Sequence, residues 1–289
     1  MTVLSVDLAL ARRIELAEAQ AAVDGAETFE RLRPDSGAAV ERVAGGFAVY
    51  CGANSPITQA VGLGLDGAVS EEEFDRLEEF YHHRGEPVRV ETCPLADASL
   101  IEHFGRRKYR VTEFSNVMAR PLCASDAARA KIKPPLGMTI EKAASEQITL
   151  WTLTVSQGFS EQFPVTQELL EVMRMFACGP NVECYLARVD GAVAGGAALA
   201  IRDGVAGLFG ASTLPGFRNR GVQTALLHVR VERGVDAGCD LAVCLAQPGS
   251  VSQRNVMRQD FSVLYTRVKF ERGWPEATCL QDEAFGDSG

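Results

Sequence analysis

The residues with the clearest chemical use lie in the run PGFRNRGVQTALL, which starts at Pro215. Arg218, Arg220 and Gly221 stand just before a segment of helical character that opens at Val222. The first turn of a helix leaves backbone N–H groups unpaired, and the helix dipole favours negative charge beside them. An apolar strand-like segment from Val205, broken at Pro215 and Gly216, precedes the basic turn. Strand, basic turn and helix in that order make a phosphate-binding device. Gly221 can adopt a left-handed backbone or let a ligand approach closely.

A second glycine run competes with it. GLGLDG at 62–67 fits the dinucleotide pattern GxGxxG, between a strand and a helix, and Glu91 lies 24 residues after Gly67 in the next strand. The helix that follows opens with Glu71, Glu72 and Glu73. Two like charges about 4 Å apart repel by roughly 1 kcal/mol even in bulk water, so a pyrophosphate is unwelcome there. The run reads as a turn followed by a well-capped helix.

Other chemistry is sparse. The four histidines are scattered: His82 and His83 end a helix, where they suit its dipole, and His103 and His228 fall inside helical segments. No Ser-His-Asp order appears. The eight cysteines (51, 93, 123, 178, 184, 239, 244, 279) form no short metal-ligand spacing. We expect no metal and a reduced, cytoplasmic setting. No apolar core follows Met1, and no run of 18 apolar residues occurs. The expectation is therefore no leader and no membrane partner. Net charge is −9, with 16 basic and 21 acidic side chains over residues 1–135 and 13 and 17 over the rest. Neither half is basic, which argues against nucleic acid.

The elements that must position these residues follow from periodicity. Residues 7–24 read as a helix, with a second short one after Gly25. Residues 38–52 read as a hairpin turning at Gly45-Gly46, and 58–65 as a strand. Ser70 and Glu73 form a capping box for a helix over 70–83. Strand, short helix and strand follow at 87–93, 98–107 and 109–120. Residues 121–136, with Pro134-Pro135 at the end, read as a linker. The second half reads as a strand at 138–142, helices at 145–157 and 166–177, and a hairpin over 183–202 turning at Asp190-Gly191. Strand 205–214 and the basic turn lead to a helix reaching about 237. A buried strand (240–246), a short helix (251–259) and a closing strand (261–271) follow, and 284–289 reads as a loose tail. The halves share an order, and an offset of 152 aligns Tyr109 with Phe261 and Glu91 with Val243. Two copies of one α/β unit are implied.

PGFRNRGVQTALL resembles the acyl-CoA-binding motif Arg/Gln-x-x-Gly-x-Gly/Ala of the GNAT superfamily of N-acetyltransferases. Arg218 and Gly221 fit that motif, and Gln223 stands where the last small residue is usual. The segment PGSVSQRNVMRQDFSVLYTR is similar to the closing helix and strand of that family, with Asp260-Phe261 in place of Gly-Phe. The resemblance covers roughly 137–272. It implies an α/β (α+β) protein of two GNAT-like domains, each a mixed, mostly antiparallel twisted sheet flanked by helices. The first, residues 1–120, is a degenerate copy, and 137–289 is the acyl-CoA-binding N-acetyltransferase domain.

The resemblance further implies acetyl-CoA as cosubstrate, its pyrophosphate on the backbone of Asn219, Arg220, Gly221, Val222, Gln223 and Thr224, with charge from Arg218 and Arg220. Ala211, Ser212 and Thr213 align with the strand end that bonds the pantetheine and thioester, where a backbone N–H would stabilise an oxyanion. Ser252 and Asn255 could reach the cofactor from the short helix. The position of the usual acidic tyrosine is Val256, so Tyr265 is the nearby acid candidate. Glu161 and Glu183 are the base candidates, and Phe159 and Phe163 could line an acceptor pocket. The implied reaction is direct transfer of acetyl to an amine of a small molecule or peptide. An acyl-CoA-binding sensor is the alternative, and a homodimer is among the partners left open.

Overall fold

A computed structural model describes residues 4–53, 55–123, 134–161 and 164–274 of the 289-residue chain. Helix α1 (Leu8–Leu32) starts where the Asp7 carboxylate accepts from the Leu10 N–H at 2.8 Å. It buries Ala11, Ile14, Ala19, Val23, Ala26 and Phe29 at helical spacing. The expected break at Gly25 does not occur. A Cβ there would come within 3.1 Å of the Met175 side chain, so the glycine admits a close helix contact. That packing offsets a propensity cost of about 1 kcal/mol.

Strands β1 (Ala39–Val43) and β2 (Gly46–Tyr50) form a hairpin whose turn residues, Ala44 and Gly45, both have positive φ. Strand β3 (Gln59–Val61), α2 (Glu71–His82), β4 (Val88–Thr92), α3 (Ala98–Arg106) and β5 (Arg110–Pro121) complete the first half. The Ser70–Glu73 capping box is formed in both directions. The expected linker is described only at 121–123 and 134–136, and Phe163 and the 284–289 tail lie outside the described residues.

The second half runs β6 (Met138–Lys142), α4 (Ile148–Gly158), α5 (Gln167–Ala177), β7 (Val182–Val189), β8 (Ala192–Arg202), β9 (Val205–Thr213), α6 (Val222–Asp236), β10 (Leu241–Ala246), α7 (Val251–Met257) and β11 (Ser262–Arg272). Asp190-Gly191 and Asp203-Gly204, all at positive φ, turn the β7–β8 and β8–β9 hairpins.

Among the described residues eleven strands join one sheet, in the order β1-β2-β3-β4-β11-β5-β10-β9-β8-β7-β6. A shift of 152 carries α2, β4, α3 and β5 onto α6, β10, α7 and β11, so the repeat is structural. The two units share their sheet rather than owning one each. The last strand of each half crosses over: β11 pairs with β4, and β5 pairs with β10, while β5 and β11 pair with each other. Read from sequence as a closing strand, β11 therefore lies at the centre. The exchange covers the edges of β4 and β10, and Val117, Met118 and Ala119 of β5 are buried.

The sheet separates two apolar layers around the second half. Ala242, Cys244 and Ala246 of β10 face α6 with Leu226 and Val231. Leu241 and Val243 face α1 with Ile14 and Tyr265.

Candidate active site

Arg218 follows a single 3-10 turn (Pro215–Phe217), and its N–H donates to Pro215 O. Asn219 has φ +61° and Gly221 φ +80°, so the chain enters α6 through left-handed backbone that a side chain resists at Gly221. No side chain caps α6, and its first turn has no acidic residue. The first N–H to reach back along the helix is that of Ala225, to Gly221 O at 3.0 Å. The donors before it face an exposed loop made of Arg218, Asn219, Arg220 and Gly221.

Both arginines hold carboxylates from other segments. Arg218 donates to Glu161 and to Gly158 O. Arg220 donates to Asp190 at 3.2 Å. All four side chains are well exposed, and exposed pairs contribute only about 0–1 kcal/mol. Phosphate can displace them.

The competing glycine run is built differently. Glu71 pairs with Arg106 and Arg107, and Glu73 is bound in its cap. A Cβ at Gly62 would meet Ala19 of α1, and one at Gly64 would meet Ala96 and Leu100. These glycines serve packing, and Glu91 points to Gln59 and Arg267.

Between α4 and α6 the sheet opens. Parallel pairing of β9 with β10 ends at Leu208↔Cys244, although β9 continues to Thr213 and β10 to Ala246. In the same place β9 bulges against β8, where the register shifts between Gly196 and Ala198 and Gly210 takes φ +56°. Arg230 of α6 clamps this bulge from beneath. Its Nη1 donates to Ala198 O at 3.0 Å and Phe209 O at 3.3 Å, and its Nε to Leu226 O at 3.0 Å. Burial brings Arg230 down to about 10. Trp151 Nε1 holds Ala197 O at 3.1 Å from the other side. Sequence reading overlooked Arg230. Its position four residues after Leu226 and eight after Val222, in the buried stripe of α6, is the signal that could have found it.

The structure thus gathers the 218–224 loop and helix start beside the end of β9. Ala211 is half-buried there, and Ser212 and Thr213 are buried. The Ser212 hydroxyl is spent on Val155 O at 3.0 Å, so its side chain ties β9 to α4. Ser252 is exposed on α7, and Asn255 accepts from Arg258 at 3.1 Å. Val256 of α7 packs on the α6 layer.

Two acid–base candidates lie elsewhere or are otherwise engaged. Tyr265 sits in the layer under α1, on the opposite face from α6. Its hydroxyl donates to Glu15 at 2.7 Å, and burial pushes its pKa far up. Burial alone would raise Glu183, but hydrogen bonds from Arg233, Tyr185 and Lys142 bring it down to about 2, a poor base.

On the α1 side of the opening lies a cavity of about 550 Å³, lined near the opening by Phe159, Phe209, Gly210, Leu245, Ala246 and Gln247. That volume suits a small molecule. Among the described residues no group of His, Cys, Asp or Glu could hold a metal ion, and no helix is long and apolar enough to cross a membrane.

Comparison with known proteins converges on this half. Residues 150–260 match the model of the acetyltransferase (GNAT) family. Residues 150–260 are thus GNAT acetyltransferase domain sequence. The chain is thereby an acyltransferase. No curated protein matches it. Among solved structures it is similar to a GCN5-related N-acetyltransferase from Kribbella flavida, at 14% identity and TM-score 0.62, covering 90% of this chain and 96% of that one. It is also similar to a tandem GNAT protein from the clavulanic acid biosynthesis pathway, at 13% identity and TM-score 0.58, covering 86% and 87%. The GNAT domain and its repeat thus share a tandem fold, and the loop before α6 and the opening of β9 from β10 lie inside the matched GNAT region.

Proposed function

We propose that the protein is an acetyl-CoA-dependent N-acetyltransferase acting on an amine, and that residues 137–272, completed by β5, form its cofactor-binding unit. The observation that carries this reading is the uncapped start of α6, free of acid, beside the parting of β9 and β10. The backbone of Asn219, Arg220, Gly221, Val222, Gln223 and Thr224 would hold the pyrophosphate, aided by Arg218 and Arg220. Ala211, Ser212 and Thr213 would border the pantetheine through their main chain, with Ser252 and Asn255 on α7 beyond. Acetyl-CoA supplies an activated thioester. The bulge at Gly210, fixed by Arg230 and Trp151, would present backbone donors without reorganisation. The cavity under α1 would hold the amine, so the acceptor reaches the opening from one face and the cofactor from the other. Positioning then supplies much of the acceleration. Glu161 is released when Arg218 turns to phosphate and stands as the base candidate.

One observation favours a second reading, an acyl-CoA sensor. Val256 occupies the position of the usual acid, and Tyr265 is committed to Glu15. Release of free CoA thiol from acetyl-CoA with a panel of amines separates the two. Amine-dependent release supports transfer, whereas tight binding without release over the whole panel supports the sensor.

A further inference from the structure

We propose that the cavity under α1 selects an elongated, mostly apolar amine that carries a second positive charge at its far end. This rests on the transfer reading for the cavity's role and adds the class of acceptor.

The cavity runs from Phe209, Gly210 and Ala246 at the opening to Gln59, Glu91 and Glu18 beneath α1. Ile14, Ala17, Ala21 and Val243 line it between those ends, so its middle offers an incoming chain apolar surface. Register fixes its length. Leu245 of β10 lies opposite Val117 of β5, and Glu113 of β5 opposite Lys269 of β11, which in turn faces Glu91 of β4. With strands about 4.8 Å apart and a rise of about 3.4 Å per residue, the two ends are separated by roughly 15–20 Å.

The far end carries more carboxylates than cations. Arg267 is buried and donates Nε to Glu15 at 2.8 Å, while its Nη2 lies 2.7 Å from Glu18. It approaches Glu91 only to 3.8 Å. Lys269 is held by Glu113 at 3.0 Å. Glu15, Glu18, Glu91 and Glu113 therefore share two cations, Arg267 and Lys269, and burial pushes the Glu15 and Glu91 carboxyls up. Glu91 is only 8% exposed, and a buried carboxylate is costly without a partner.

Gln59 adds a directional feature. Its Nε2 donates to Glu91 at 3.2 Å, which fixes the amide, and its Oε1 is buried with no partner. An ammonium group brings the N–H donors that this oxygen lacks and the close positive charge that Glu91 lacks. At the other wall, Arg202 is neutralised by Asp24. An anionic acceptor therefore meets no uncommitted cation among the described lining residues.

The test is calorimetric titration of the full chain with decamethylenediamine, decylamine and decanoate, in the wild type and in E91Q and E113Q. The expected result is at least tenfold tighter binding of the diamine than of decylamine, with the preference lost in E91Q and reduced in E113Q. Equal affinity for the two amines, tighter binding of decanoate, or a preference unchanged in both variants would overturn the proposal. If E91Q fails to fold, the response of E113Q decides. Acetyl-CoA is titrated alongside. Diamine preference without acetyl-CoA binding keeps this site and sinks the transfer reading; acetyl-CoA binding without diamine preference does the reverse.

Discussion

Reversal of charge at Arg220 is the sharpest perturbation of the proposed phosphate site. Arg220 is about half exposed and gives up only a surface pair with Asp190 when it turns to a ligand. Water therefore sets the dielectric. At about 6 Å and ε near 80, each unit charge interacts with each phosphate charge by about 0.7 kcal/mol. Arg220→Glu changes two units against two phosphate charges, or about 2.8 kcal/mol, and screening with a Debye length near 8 Å roughly halves it. A loss of about 1.4 kcal/mol is about tenfold in Kd. Calorimetric titration with acetyl-CoA at 0.15 M salt should show that loss, Arg220→Gln about threefold, and both effects should shrink at 0.5 M. Asp190→Asn should strengthen binding slightly. Unchanged affinity for Arg220→Glu would refute the placement of the phosphates.

Tyr265→Phe should leave acetyl-transfer rate within about twofold and lower stability by about 1–2 kcal/mol by denaturant melt, because the hydroxyl serves buried Glu15; a collapse of kcat at unchanged stability would contradict this. Arg230→Met should lower kcat/KM more than it lowers acetyl-CoA affinity, since Ala198 O and Phe209 O at the bulge lose their donor while the 218–224 loop does not; equal losses would argue against a positioning role. Glu183 is held low by its partners, so its contribution is present above the ordinary carboxylate value and lost as pH falls from about 4.5 toward 2. The difference in Tm between wild type and Glu183→Gln should be full at pH 6, shrink below pH 4.5 and close as pH reaches about 2, and a constant difference would refute the assignment.

Much of this architecture was legible in the residues. Alternation, capping at Ser70 and positive-φ turn pairs such as Asp190-Gly191 are local signals, and the 152-residue repeat carried the order of elements. Helix α1 was misread because Gly25 has a local propensity cost, whereas the compensating contact with Met175 is 150 residues away. Strand exchange between β5 and β11 was invisible for the same reason: equivalent strands carry equivalent patterns, and pattern does not say which copy pairs with which.

The site divides similarly. Gly221 and the absence of acid in the first turn of α6 are sequence properties, and so is the glutamate run that disqualifies 62–67. The pairing of Arg218 with Glu161, the burial of Tyr265 on Glu15 and the clamp from Arg230 depend on which face of the sheet each residue meets. Tyr265 is near α7 in sequence, yet the pleat turns it to α1. A central strand has layers packed on both of its faces, so alternation along it does not announce which layer a side chain joins.

The central claim is that the start of α6, rather than the glycine run of the first half, holds the phosphates of acetyl-CoA. Backbone amide hydrogen exchange with and without acetyl-CoA tests it directly. The account predicts new protection at 219–224 and no change at 62–73. Protection at 62–73 with none at 219–224 would contradict it.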